Sequence, residues 1–139
     1  MSPFLLGGNL MLSEHFDESE FCCHHCSELK INPRLIELLE QLRYNIGGFP
    51  LIVSSGYRCS YWNSHEGGAK NSQHLYGNAA DILCPEQLSS LGEFKWYAEQ
   101  LPFDAIGYYE RGHNGKDGWL HLDLRNGGTT EGDKVYWEA

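Results

Sequence analysis

Two histidines and one aspartate in this chain, His74, Asp81 and His121, have the types and settings of a zinc site. Two imidazoles and a carboxylate leave a fourth position on zinc open to water, which is how catalytic rather than structural sites are built. A metal held in that way lowers the pKa of the water towards neutrality and polarises a carbonyl, so the chemistry on offer is hydrolysis. Each residue also has a plainer role. His74 could hydrogen-bond within a loop, His121 could be a satisfied histidine on a strand, and Asp81 could cap a turn. A His-x6-Asp spacing does not choose between these by itself.

The elements around the three residues favour convergence. In Gly77-Asn78-Ala79-Ala80-Asp81-Ile82, strand alternation puts Gly77, Ala79 and Asp81 on one face, and two of the three are small, so something can approach closely. A tight turn at Gly77 would fold His74 back towards the Asp81 carboxylate. In Trp119-Leu120-His121-Leu122-Asp123-Leu124 the leucines alternate onto a core face, while Trp119, His121 and Asp123 point the other way. Behind these, segment 32–46 predicts a helix, capped by Asn32, opened by Pro33, with Leu35, Ile36, Leu38, Leu39, Leu42 and Ile46 at helical spacing and Gly47-Gly48 as its stop. Its apolar stripe reads as scaffold, and the acidic stretch 13–21 before it as a turn or one brief helix.

Segment 50–55 reads as a buried strand closed by Gly56, and 57–75 as an ordered polar loop, with or without a short helix. A strand over 78–83 ends at Pro85, a helix spans 86–100, and strands at 105–109 and 119–124 flank the polar turn 110–118. Irregular alternation with hairpin-length connections late in the chain predicts an α+β fold: a small antiparallel sheet with flanking helices.

Composition narrows the function classes. At 139 residues and 41% hydrophobic content, the chain fits one domain over 1–139, with 1–12 as a loosely ordered N-terminal segment. A formal net charge of -9 argues against binding nucleic acid through its phosphates. No run is long enough to span a membrane, and segment 1–12 lacks the basic region and long apolar core of a signal peptide. An enzyme made in the cytoplasm in this form would need lysis or another non-classical route to reach a substrate outside. Five cysteines, with Cys22, Cys23 and Cys26 together, do not make a tidy disulfide framework, so reduced thiols are expected. Cys23-x-x-Cys26 beside His24 and His25 could hold a second, structural zinc, but no matching Cys-x-x-Cys lies downstream, and loop thiols are the favoured reading. Cys59 and Cys84 flank the central motif, and sequence alone cannot pair them.

The run Ser54-Ser55-Gly56-Tyr57-Arg58, followed by Gly67-Gly68-Ala69-Lys70-Asn71-Ser72-Gln73-His74-Leu75-Tyr76-Gly77-Asn78-Ala79-Ala80-Asp81-Ile82, resembles the zinc D-Ala-D-Ala carboxypeptidase family. The broader superfamily includes lysostaphin-like endopeptidases and the hedgehog signalling domain. The family's Ser-x-His-x-x-Gly-x-Ala-x-Asp motif is complete over 72–81, and His121-Leu122-Asp123 looks like its late His-x-Asp. The likeness runs over 13–125 in order and spacing, and resembles the variants found in phages and prophages. It implies one catalytic zinc on His74, Asp81 and His121, with Arg58 steadying the substrate carbonyl oxygen as charge develops on it. It implies Ser72 bonding within its loop or to substrate, and Asp123 orienting His121 or Arg58 rather than binding metal. The implied reaction is hydrolysis of a peptide bond next to a D-amino acid in peptidoglycan stem peptides, by a carboxypeptidase or a cell-wall endopeptidase. Such a site needs no second subunit, so a monomer is expected. One departure matters: where relatives carry a general base three or two residues before the last histidine, this chain has Gly118 and Trp119. Asp117 is the nearest substitute, with His113 and Glu110 behind it. Loss of the base would also fit a zinc-stabilised binding module of the same fold that no longer cleaves.

Overall fold

A computed structural model describes residues 5–6, 9–111, 117–128 and 133–139. Two short strands, β1 (Leu5–Leu6) and β2 (Asn9–Leu10), pair antiparallel ahead of the main body. Helix α1 (Pro33–Asn45) starts where the sequence places it: the Asn32 side chain accepts from Arg34 N, and Pro33 takes the first helical position, where its missing N–H costs nothing. Leu35, Ile36, Leu38, Leu39 and Leu42 form its buried stripe.

A mixed sheet follows, built from β3 (Val53–Ser55), β4 (Ala79–Leu83), β5 (Ala105–Glu110), β6 (Gly118–Asp123) and β7 (Val135–Glu138) in the order β3-β4-β6-β5-β7. All neighbours are antiparallel except β5 and β7, which run parallel. The sequence reading did not contain β7; four residues next to polar chain carry too weak a pattern to announce an edge strand. The expected loop over 57–75 contains α2 (Ser60–His65) and a 3-10 turn at Gln73–Tyr76.

The helix expected over 86–100 is shorter, as α3 (Leu91–Glu99). Ser90 sets its start by accepting from Glu93 N at 3.0 Å, while the Glu93 carboxylate reaches back to Ser89 N and Ser89 Oγ, both at 3.2 Å. This reciprocal cap fixes the boundary better than apolar spacing can. Ala80, Ile82, Ile106, Leu120 and Leu122 face the buried core with Leu35, Leu39, Leu42 and Phe94 from α1 and α3. Phe16 and Phe21 close its edge, edge-to-face at 5.8 Å. The opposite sheet face is left for Asp81, His121 and Asp123. Among the described residues no helix is long and apolar enough to cross a membrane.

The segment before α1 is tied to it by Glu40, whose carboxylate accepts from His15 N at 2.8 Å, meets His15 Nδ1 at 2.7 Å and accepts from the Ser13 hydroxyl. Burial pushes the Glu40 carboxyl up, but the bonds from Ser13 and His15 outweigh it and leave the group below its usual 4.5. A carboxyl lowered by folding stabilises the fold above its unfolded pKa and loses that contribution as pH falls through the folded value. Glu40→Gln is therefore expected to lower stability at pH 7 by about 1 kcal/mol. Thermal melts of the variant and the parent should converge under acid conditions, and a constant gap at every pH would exclude the ionic tether.

Candidate metal centre

The 3-10 turn and β4 position the first two candidate ligands together. Ser72 caps the turn by accepting from His74 N at 3.2 Å, so its hydroxyl serves the loop that carries the histidine. Gly77 ends the turn in the left-handed conformation, φ +74, with a Cβ at that position falling 2.4 Å from Lys30 O. Any other residue would be strained there and would collide with backbone. The sharp reversal brings the buried His74 ring back over β4, with Nε2 3.2 Å from Asp81 Oδ1.

His121 stands opposite Asp81 across the β4–β6 ladder. Its Nδ1 lies 3.1 Å from the same Asp81 Oδ1, and the two imidazoles meet edge-to-face at 5.0 Å between centroids. His74, Asp81 and His121 thus place one ligand atom each within 4.8 Å of one another, at 2%, 7% and 8% exposure. They lie at the floor of a cleft of about 440 Å³.

The hydrogen-bond partners of the outward ring nitrogens suit metal binding. His74 Nδ1 faces Gly56 O at 2.7 Å, and a carbonyl can only accept, so that nitrogen donates and Nε2 is the ring nitrogen left for a metal. His121 Nε2 donates in the same way to Asp123 Oδ2 at 2.8 Å, leaving Nδ1 free to ligate. Asp123, fully buried, is held in turn by Arg125 Nη2 at 2.8 Å and Arg125 N at 3.0 Å. Of its two expected partners, Asp123 bonds His121 and not Arg58. Arg58 reaches Asp81 instead, with Nη2 3.2 Å from Oδ2 and Nε 3.0 Å from Ser55 Oγ.

The electrostatics agree. Burial alone would raise the Asp81 carboxyl, but hydrogen bonds from His121 and His74 hold it well below the usual carboxylate range. Burial lowers His121, yet Asp123 and Asp81 more than offset that and raise it. Two imidazole nitrogens and a carboxylate oxygen converge on one point, where a cation would take the place of the shared proton, and this donor set fits zinc.

The base candidates are placed differently. Asp117 lines a neighbouring cleft with Ile52, Leu83, Cys84 and Pro85, and is not among the residues lining the His74 and His121 cleft. Three strand residues separate it from His121, a span of about 13 Å along the strand. Glu110 pairs with Gly118 at the same far end of the sheet, and His113 lies outside the described residues. A carboxylate could not stand at 118 in this backbone: Gly118 has φ +128 and a Cβ there would lie 2.1 Å from Tyr109 O. Glu66, at the end of α2, does line the metal cleft.

Besides Glu66, the cleft residues Trp137, Tyr109 and Arg125 were missed by the sequence reading. Trp137 on β7 packs 5.1 Å from the His121 ring and donates from Nε1 to Tyr109 Oη at 2.8 Å. Arg125 lies over the Trp137 ring at 5.4 Å. The available signal was Gly107 within β5, which sits opposite His121 and has space for Trp137 where a side chain would stand.

An imidazole pair and carboxylate on an antiparallel sheet, with a capped turn delivering one histidine, is the arrangement of a metallopeptidase, and the sequence agrees: residues 11–123 match the family Peptidase M15, to which this chain belongs. Over 44 residues it is 46% identical to the zinc D-Ala-D-Ala carboxypeptidase of Streptomyces albus G. That stretch covers 32% of this chain and 17% of the relative, so the likeness spans well under half of either.

Gly77→Ala should cost more than about 2 kcal/mol through backbone strain and collision. Because His74 rides on that turn, the folded fraction of the variant should also bind zinc more weakly in a competition titration. Unchanged affinity would show that the turn does not set the ligand.

Proposed function

We propose that this chain is a zinc peptidase of the cell wall, hydrolysing a peptide bond next to a D-amino acid in peptidoglycan stem peptides as a D-Ala-D-Ala carboxypeptidase or an endopeptidase. The observation that carries the reading is the convergence of His74 Nε2, Asp81 Oδ1 and His121 Nδ1 at the floor of an open cleft, inside the segment matched by the peptidase family. The name of the Streptomyces relative supplies the substrate class and the metal. In this reading the protein acts as a monomer on the wall, after release from the cell that makes it.

Zinc, when bound by these three residues, supplies a Lewis acid and lowers the pKa of water at its open position. The chain does the rest. Gly56 O and Asp123 hold each imidazole in the tautomer that ligates. Arg58 fixes Asp81 and presents a fixed positive charge at the cleft, where it steadies the carbonyl oxygen of the scissile bond. Ser72 keeps the ligand turn in shape. Tyr109 and Trp119, stacked at 5.0 Å, with Trp137 form an apolar wall for the stem peptide. The proton acceptor is Glu66, supported by its position on the cleft, in place of Asp117.

A non-cleaving binding module is the second reading, favoured by Gly118 where relatives carry a base. Zinc-loaded protein incubated with defined muropeptides should release D-Ala or split the stem, a chelator should stop it, and His74→Ala should lose both metal and turnover. Metal binding without cleavage of any muropeptide would select the module. Glu66→Gln should lower kcat by about 10²-fold with zinc still bound, as loss of a general base does. Asp117→Asn should turn over normally; the reverse pattern would return the role to Asp117.

A further inference from the structure

Cys23, Cys26 and Cys59 form a second group of metal-binding atoms, remote in sequence from the histidine ligands, with sulfurs within 4.8 Å of one another. Two backbone features bring them together. The chain turns tightly after Cys23, with Cys23 N donating to Glu28 O at 2.8 Å, Ser27 N donating to Cys23 O at 2.9 Å, and Ser27 held at φ +62. Cys59 arrives on the segment leaving β3, which is locked to the first by Tyr57 N donating to Phe21 O at 2.8 Å. All three are free thiols.

Backbone amides are aimed at two of the three sulfurs. Cys59 N points at Cys23 Sγ at 3.4 Å, and Trp62 N at Cys59 Sγ at 3.4 Å. Amides aimed at sulfur stabilise the anionic form, which is the form that ligates. A fourth donor is beside them: His25 Nδ1 lies 3.6 Å from Cys59 Sγ. Zn–S and Zn–N bonds of about 2.3 and 2.0 Å at a tetrahedral angle put neighbouring sulfur and nitrogen roughly 3.5 Å apart. The His25 ring is steadied by Tyr61, 4.4 Å between centroids, and lies parallel to Trp62.

We propose that Cys23, Cys26, Cys59 and His25 bind a structural zinc ion. The lone Cys-x-x-Cys of the sequence is completed by a cysteine from a different segment, so a downstream pair is unnecessary. Three thiolates and an imidazole form a closed, soft donor set, selective for zinc over magnesium or calcium, with no position left for substrate. The ion would clip the turn after Cys23 to the residue next to Arg58, and so brace the arginine that bonds Asp81.

Protein purified in reductant, loaded with zinc and desalted should carry two zinc ions per chain by elemental analysis. Cys59→Ser and the exposed-site variant Cys26→Ser should each carry one. His74→Ala should also carry one, and after cobalt(II) substitution it should show the near-ultraviolet thiolate-to-cobalt charge-transfer band that Cys59→Ser lacks. Absence of that band in folded His74→Ala protein overturns the proposal, as does a disulfide among the three cysteines when zinc is present. A wild-type chain that shows the sulfur band but holds no metal at His74, Asp81 and His121 would sink the peptidase reading and leave this site standing.

Discussion

The Asp81 carboxylate carries a negative charge into a nearly dry position, and the surrounding structure is arranged to compensate it. One oxygen faces two imidazole nitrogens, and the other accepts from Arg58. An uncompensated carboxylate in such a place would cost several kcal/mol. His121 meets that charge by holding its proton more firmly, and its pKa is raised by Asp123 and Asp81. A cation held by these residues would take the place of that proton, so metal uptake and proton release would be linked at this point. The partners come from the segment after β3, the 3-10 turn, β4 and β6, so the site exists only when the sheet has its register.

Supports behind the ligands are as ordered as the ligands. Gly56 O fixes one ring, and the Asp123 and Arg125 pair fixes the other. Burial pushes the Asp123 carboxyl up while His121 and Arg125 pull it down further, so it stays ionised under His121. Trp137 then covers the His121 ring from β7, and Arg125 covers Trp137. The parallel β5–β7 pairing, the exception in an otherwise antiparallel sheet, is what sets this wall against the cleft.

Much of this was legible in the sequence because the relevant signals are local. The cap and apolar stripe of α1, the small-residue face of β4, and the leucine alternation of β6 each state their own geometry within a few residues. The core side of β6 follows that alternation, and His121 and Asp123 take the other face as expected. What could not be read depends on distant parts of the chain. The edge strand β7 is defined by β5, not by its own pattern. Asp117 looks adjacent to the ligand strand, yet the left-handed Gly118 and the length of β6 put it in another cleft. Glu66 enters through the path of a loop that no periodicity describes. Cys59 and Cys84 are symmetric about the central motif on paper, but Cys59 joins Cys23 and Cys26 while Cys84 lines the cleft with Asp117.

The two histidines offer unlike nitrogens, Nε2 from His74 and Nδ1 from His121. Nδ1 is adjacent to the ring carbon that bears the side chain, whereas Nε2 is at the far end of the ring. The strand histidine therefore grips from close to its own backbone and the turn histidine reaches in from a distance. Both nitrogens face the cleft whose lining includes the loop of Glu66, Gly67 and Gly68. Divergence in that loop can change which peptide fits while leaving the sheet-borne chemistry intact.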